Sequence, residues 1–351
     1  MTLYVLGAGS IGLLYASHMR RISTKDRIVL LLRSKNKEKL IRLMENGRES
    51  FVARTMLKDS NGKSHVLDIP SEIIGEESNK NVQSILLTTK AFQAVDALKS
   101  ILPRIDANVQ TNLILMTNGC LGVSNVLQQT FHEYKIKNVN IVHASCTHGA
   151  GPIDNYHHDY DNHINFNVVH TGIGKTYLEP SSISDYLSRI WNSCGLQCSV
   201  LSPSEMYIMN WKKLAANCVI NPLTALRKCS NGELIGDLFK EEVHENVLHY
   251  NDSNIACRIL KEVSTVALEQ AQNHPNISKD ELESLKFDEL LKFVRGVISD
   301  TALNKSSMLL DIVNNRETEI NYLNGYIANI GIDSNIDVEA NQYIISEIHK
   351  I

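Results

Sequence analysis

The chain has 351 residues, 43% hydrophobic and 21% charged, and its 35 Lys and Arg against 39 Asp and Glu give a net charge of −4. That length exceeds what one hydrophobic core usually supports, so two domains are expected, and the composition is that of an ordinary globular protein. Its basic residues are dispersed, which argues against the basic face a nucleic-acid footprint needs, and no apolar run approaches the roughly 18 residues of a transmembrane helix.

Seven cysteines without a CxxC pair read as reduced thiols rather than a disulfide frame. Cys194 and Cys198, the closest pair, have no histidine beside them and suit core packing. Thr2 to Leu6 enters a strand at once and leaves no room for a signal or transit peptide, so a cytoplasmic location is expected.

That first strand ends in Gly7, Ala8, Gly9, Ser10, Ile11 and Gly12, after which Leu13 to Met19 continues with helical spacing. Strand, GxGxxG turn and helix in this order form a dinucleotide fingerprint. Gly7 permits the tight turn, Gly9 lets the backbone approach a pyrophosphate, and Gly12 lets the helix pack on the strand. The helix start offers free N–H groups and the positive end of its dipole.

A second strand, Arg27 to Leu32, delivers Arg33, followed by Lys35 and Lys37. An acidic residue at that place would take the ribose 2′-hydroxyl of NAD, whereas a planar guanidinium suits a 2′-phosphate, so NADP(H) is expected. Asp59 to Lys63 reads as a turn between two strands. Buried strands at Val82–Thr89 and Leu113–Met116 end in Lys90 and Asn118, where ligands of open α/β sheets bind. Asn140–Ala144, Cys146–Ala150 and Asn165–Gly174 read as further strands, the later ones antiparallel. The run His157, His158, Asp161, His163 has the composition of an exposed loop, and no metal site is expected.

From Ser202 to Glu205, a capping box with proline at the first helical position, strand signals give way to helical periodicity. Helices are expected at Gly232–Tyr250, Ser253–Gln272, Lys279–Ser299, Ser306–Val313, Glu319–Ile330 and Asp337–Ile351. The fold class is therefore α/β: a Rossmann-like doubly wound sheet over residues 1–200, then an all-helical domain over 201–351.

Within the helical half, Trp211 to Leu226 is apolar on most sides, yet Lys213, Asn217, Asn221 and Thr224 fall on one face. A buried helix with such a stripe must turn it toward something wet and selective, because an ammonium and two amides in a dry core would each cost several kcal/mol. Pro222 leaves the Cys218 carbonyl without its ladder donor, so the helix is expected to end or kink there. Ser306 and Ser307 open a helix whose N–H groups could hold a carboxylate.

Together the blocks GAGSIG, TTKAFQ, NGCLG, CTHGA, HTGIG, WKKLAANCVINPLTAL, CSNGEL, SSMLLDI and TEINYLNG make the chain resemble the ketopantoate (2-dehydropantoate 2-) reductases over nearly its whole length. The resemblance implies an NADPH-binding Rossmann domain, a helical domain, an active site in the cleft between them, and reduction of 2-dehydropantoate to (R)-pantoate on the route to pantothenate. It also assigns residues. Lys213 matches the family's proton donor, and Asn217, Asn221, Asn231 and Ser307 match its substrate ligands. Arg33, Lys90, Asn118, Ala150 and Glu319 match positions that touch or orient the cofactor, Glu319 also reaching the reacting centre. Thr117 and Gly149 depart from the Gln and Ala often found there, and residues 57–82 and the His-rich loop look longer than in compact members. Oligomeric state stays open, a homodimer included. The alternatives are a reductase of another branched 2-keto acid and a non-catalytic NADP-binding regulator.

Overall fold

The computed structural model describes residues 1–22, 27–45, 48–76, 81–153, 164–236, 255–272, 274 and 276–351. The chain divides into two compact units, Met1–Pro203 and Ser204–Ile351.

In chain order the first unit contains β1 (Thr2–Leu6), α1 (Ser10–Ile22), β2 (Arg27–Leu32), β3 (Ile41–Glu45), β4 (Arg48–Lys58), β5 (Ser64–Ile73) and β6 (Ser84–Leu87). There follow α2 (Ala94–Lys99), β7 (Thr111–Leu115), α3 (Cys120–Glu133), β8 (Val139–Cys146), β9 (Gly149–Gly151), β10 (Phe166–Gly172), β11 (Thr176–Leu178), α4 (Ser184–Ser193) and β12 (Cys198–Val200). The strands form one 12-stranded sheet in the order β12-β11-β8-β7-β6-β1-β2-β5-β4-β10-β9, with β3 on β4. From β8 to β5 every neighbouring pair is parallel. Strands of a parallel sheet are covered on both faces, which is why β6 and β7 are buried at every position and read as unbroken apolar runs.

The order runs outward in both directions from β1, with β2 on one side and β6 on the other. Such a reversal point is where α/β sheets take ligands. Helix α1 lies against β2, β4, β5, β9 and β10 and is buried at every residue from Gly12 to Met19. Tyr15 shares a 2.6 Å hydrogen bond with Thr176, and its ring meets Trp191 edge to face at 4.9 Å. The Trp191 indole N–H points to Met19 Sδ at 3.3 Å.

Several strands differ from the expectation. β3, β11 and β12 add to the sheet, and β10 pairs in parallel with β4 while pairing antiparallel with β9. The expectation of short connections fails here, since residues 152–165 separate β9 from β10. The Asp59 turn forms as expected: its carboxylate accepts the Asn61 and Lys63 N–H groups at 3.0 Å each.

The second unit has no strand among its described residues. It contains α5 (Pro203–Arg227), α6 (Ile255–Gln272), α7 (Lys279–Glu283), α8 (Phe287–Asp300), α9 (Ser307–Val313), α10 (Asn324–Asp333) and α11 (Glu339–Ile348), with 3-10 turns at Asn231–Leu234 and Ile320–Tyr322. Helix α6 packs against α8, α10 and α11. The helix expected at Lys279–Ser299 is two, because fully buried Leu285 turns into the core between them and its carbonyl accepts the Ser264 hydroxyl at 2.8 Å. The helix expected from Glu319 begins instead as a 3-10 turn, and that expected from Gly232 begins inside another, with residues 237–254 outside the described residues. The His157–His163 run is also outside them, and no group of His, Cys, Asp or Glu suited to a metal occurs among the described residues. All seven cysteines are free. Burial pushes the Cys198 thiol up to about 12, as suits a packing residue. No described helix is long and apolar enough to cross a membrane.

Candidate functional site

The glycine turn joins β1 to α1 and bonds to the strand beside it. Thr88 donates its backbone N–H to the Leu6 carbonyl at 3.0 Å and its hydroxyl to the Gly7 carbonyl at 2.7 Å. Gly7 has φ +118°, and a Cβ there would meet Thr88 and Thr89 backbone at 2.8 and 2.7 Å. A Cβ on Gly12 would collide with the Gly7 carbonyl oxygen. Gly9 faces open space: a Cβ there would have no neighbour within 4 Å. A turn closed behind by Gly7 and Gly12 and open in front at Gly9 fits a pyrophosphate lying against the first N–H groups of α1. Ala8 and Ile11 pack on the core and Ser10 opens α1, so only backbone and the Ser10 hydroxyl remain for a ligand.

Arg33 follows β2, Lys90 follows β6 and Asn118 follows β7, so all three share with the glycine turn the carboxyl edge of adjacent parallel strands. Arg33 and Lys35 are exposed and form no ion pair with a described residue, whereas Lys37 is paired with Glu76 at 2.7 Å and Arg42 with Glu49. Two cations beyond the end of β2 are thus available to an anion. Ala150 is placed differently. It lies in β9 at the sheet's edge, opposite His170, with its side chain on the core.

In the second unit Lys213, Asn217 and Asn221 follow one another at successive turns of α5. Lys213 and Asn217 are half-buried and Asn221 is buried. The Asn217 Nδ2 is buried with no hydrogen-bond partner. Lys212, the neighbouring cation, has its pKa lowered by burial, with Glu289 opposing. Thr224 does not join the stripe as expected. It is fully buried, and its hydroxyl donates to the Ile220 carbonyl at 2.7 Å and bonds Ser306 at 2.7 Å. The reason is local, since a mid-helix threonine readily bonds back to the carbonyl four residues earlier. Helix α5 also continues through Pro222 instead of ending, because the Asn324 side chain donates to the Cys218 carbonyl at 3.0 Å.

Ser306 caps α9 by accepting the Leu309 N–H at 3.1 Å, so its bond to Thr224 ties the start of α9 to the turn of α5 just past Asn221. Ser307, the first residue of α9, stands half-buried beside that cap. Asn231 opens the 3-10 turn behind the Ser230–Glu233 capping box. Its backbone N–H reaches the Asn304 carbonyl at 2.9 Å and its Nδ2 reaches Thr301 at 2.9 Å, while its Oδ1 is buried without a partner. Glu319 is buried at the head of the Ile320–Tyr322 turn. Thr301 and Asn324 escape sequence reasoning, as does the bond of Ser306 to Thr224, because each acts through a contact across the fold and leaves no periodic trace.

Two family models match: ketopantoate reductase PanE/ApbA over residues 3–182 and ketopantoate reductase PanE/ApbA C terminal over residues 206–351. A 2-dehydropantoate 2-reductase of Vibrio cholerae is 28% identical over 355 residues, covering 100% of this chain and 98% of its own. One from Salmonella typhi is 30% identical over 247 residues, 69% of this chain and 65% of its own. Among solved structures, D-mandelate dehydrogenase with NADH and anilino(oxo)acetate aligns at TM-score 0.72 and 18% identity, over 100% of this chain and 98% of that one, a likeness of fold. With both of its halves matched, the chain belongs to the ketopantoate reductase PanE/ApbA family.

Proposed function

We propose that the protein reduces 2-dehydropantoate to (R)-pantoate with NADPH, and that Lys213 supplies the proton. The observation that carries the substrate is the pair of unpartnered buried amide atoms, Asn217 Nδ2 and Asn231 Oδ1. Each costs about 1–3 kcal/mol while unmet, and a keto acid bearing a hydroxyl offers both donor and acceptor for them.

The glycine turn, Arg33, Lys90 and Asn118 would hold the cofactor, Ala150 through its backbone, with Arg33 and Lys35 taking the 2′-phosphate that distinguishes NADP(H) from NAD(H). When bound, NADPH supplies the hydride. Negative charge then grows on the substrate's C2 oxygen, where the Lys213 ammonium stabilises it and hands over its proton. Glu319 would hold that ammonium and the reacting end of the cofactor in place. Asn217, Asn221 and Asn231 would grip the substrate hydroxyl, and Ser307 with the first N–H groups of α9 its carboxylate. A homodimer is part of this reading.

A second reading keeps the chemistry and changes the acid, since the fold is shared with a dehydrogenase of D-mandelate. Comparing 2-dehydropantoate with its analogue lacking the hydroxyl separates the two. Turnover per KM should fall at least tenfold for the analogue, because the amides would then be buried unpaired. Equal efficiency for the two acids would favour the second reading.

A further inference from the structure

Helix α5 carries a built-in opening in the middle of its polar stripe. Pro222 has no N–H, so the carbonyl four residues earlier, on Cys218, has no ladder donor, and the pyrrolidine ring pushes against it. Cys218 is fully buried, so water does not take that place. The donor comes from another helix. Asn324, the fully buried first residue of α10, gives Nδ2 to the Cys218 carbonyl at 3.0 Å and to Asn341 Oδ1 at 3.0 Å. Asn341 in turn donates to Glu262 Oε2 at 2.7 Å, and Glu262 also accepts the Ala340 and Asn341 N–H groups at 2.8 and 2.9 Å. Both acceptors of the Asn324 amide are oxygens, so its nitrogen must face them, and its Oδ1 is left without a partner. A chain of polar side chains thus runs from α6 and α11 through α10 to one carbonyl of α5.

The place of that carbonyl gives the chain its consequence. Asn217 precedes Cys218 and Asn221 precedes Pro222, so the opening lies beyond Asn217 from Lys213 and spans Asn221. At 1.5 Å of rise per residue, Lys213 is a lever of about 7 Å from it, and a change in bend of about 10° moves the ammonium by about 1 Å. A misplacement of about 1 Å is enough to slow an enzyme on the order of 100-fold. We infer that Asn324 is a positioning residue: by taking the Cys218 carbonyl that Pro222 leaves free, it fixes the bend of α5 and with it the spacing of Lys213, Asn217 and Asn221. This rests on the reductase reading for its kinetic consequence, and for the bend on the N–H that Pro222 lacks and the donor that Asn324 supplies in its place.

The full-length enzyme is compared as wild type, Asn324→Ala and the double variant Pro222→Ala with Asn324→Ala, in which residue 222 regains an N–H for Cys218. Asn324→Ala should lower kcat by 10- to 100-fold, change KM for the keto acid less than about threefold and leave the Kd of NADPH unmoved. The double variant should recover the thermal midpoint while kcat stays low, because a straight ladder satisfies the carbonyl yet loses the bend. Recovery of kcat together with stability would reduce Asn324 to a structural role and overturn the inference, as would a kcat within twofold of wild type in Asn324→Ala, or a double variant that does not fold. A wild type that turns over no 2-keto acid sinks the reductase reading instead. In that case crystal structures of wild type and double variant decide: Lys213 should shift by about 1 Å relative to Asn221, and an unmoved stripe overturns the inference.

Discussion

Lys213 and Arg33 test the proposal one side chain at a time, because each is asked to do a job no neighbour duplicates. Lys213→Ala should lower kcat by about 100- to 10,000-fold, the range general acid catalysis supplies, with NADPH binding by fluorescence titration unchanged. A variant within tenfold of wild type would remove Lys213 from the chemistry. Lys212 is no substitute, since one residue along α5 turns its side chain about 100° away from the face that carries Asn217 and Asn221. Arg33 stands exposed and without a described ion-pair partner. Arg33→Ala should therefore weaken NADPH by roughly 10- to 100-fold, the worth of a charge-assisted contact of about 1.5–3 kcal/mol, and leave NADH affinity nearly as it was. Equal losses for both cofactors would show that the guanidinium does not read the phosphate.

At the scale of elements, α1 is unusual in burying polar side chains along with its apolar ones. His18 has neither ring nitrogen bonded, and it stacks edge to face on His170 at 5.1 Å, which in turn lies 3.1 Å from His148. Burial, then the neighbouring His170 and Arg21, pull His18 down to about 4, and burial lowers His148 and His170 as well. Unfolded, each histidine takes up a proton near 6.5, so between 6.5 and about 4 the unfolded chain binds protons that the folded chain refuses. Stability is complete above that window and falls as pH drops through it. At about 1.4 kcal/mol per pKa unit, the fall from 6.5 to about 4 makes His18 alone worth about 3 kcal/mol by the lower end. Urea titrations from pH 7 to 4 should show the first unit weakening in wild type and a shallower decline in His18→Leu. Parallel slopes would mean that His18 titrates in the fold as it does in the open chain. Much of α1 and the sheet was readable in advance, because the GxGxxG turn and the unbroken apolar runs at Ile28–Leu32 and Leu113–Met116 answer to local sterics and two-sided burial. The path of β10 was not, since its partner β4 is chosen across more than a hundred residues.

For the molecule as a whole, the family membership and the two-unit organisation leave the site itself to be proved by chemistry. The stripe of Lys213, Asn217 and Asn221 could be read from helical spacing, whereas the retreat of Thr224 and the rescue of the Cys218 carbonyl by Asn324 depend on Ser306 and α10, which no local pattern announces. Likewise the strand-end positions of Arg33, Lys90 and Asn118 followed from strand order, while Ala150 came to rest in an edge strand with its side chain on the core. The central claim is that the protein transfers a hydride from NADPH to the C2 carbonyl of 2-dehydropantoate. The most direct measurement mixes the purified full-length protein with NADPH and 2-dehydropantoate, follows nicotinamide absorbance and identifies the product. Loss of absorbance matched mole for mole by (R)-pantoate is the expected result; steady absorbance with this and every other 2-keto acid, in a folded protein that binds NADPH, would contradict it.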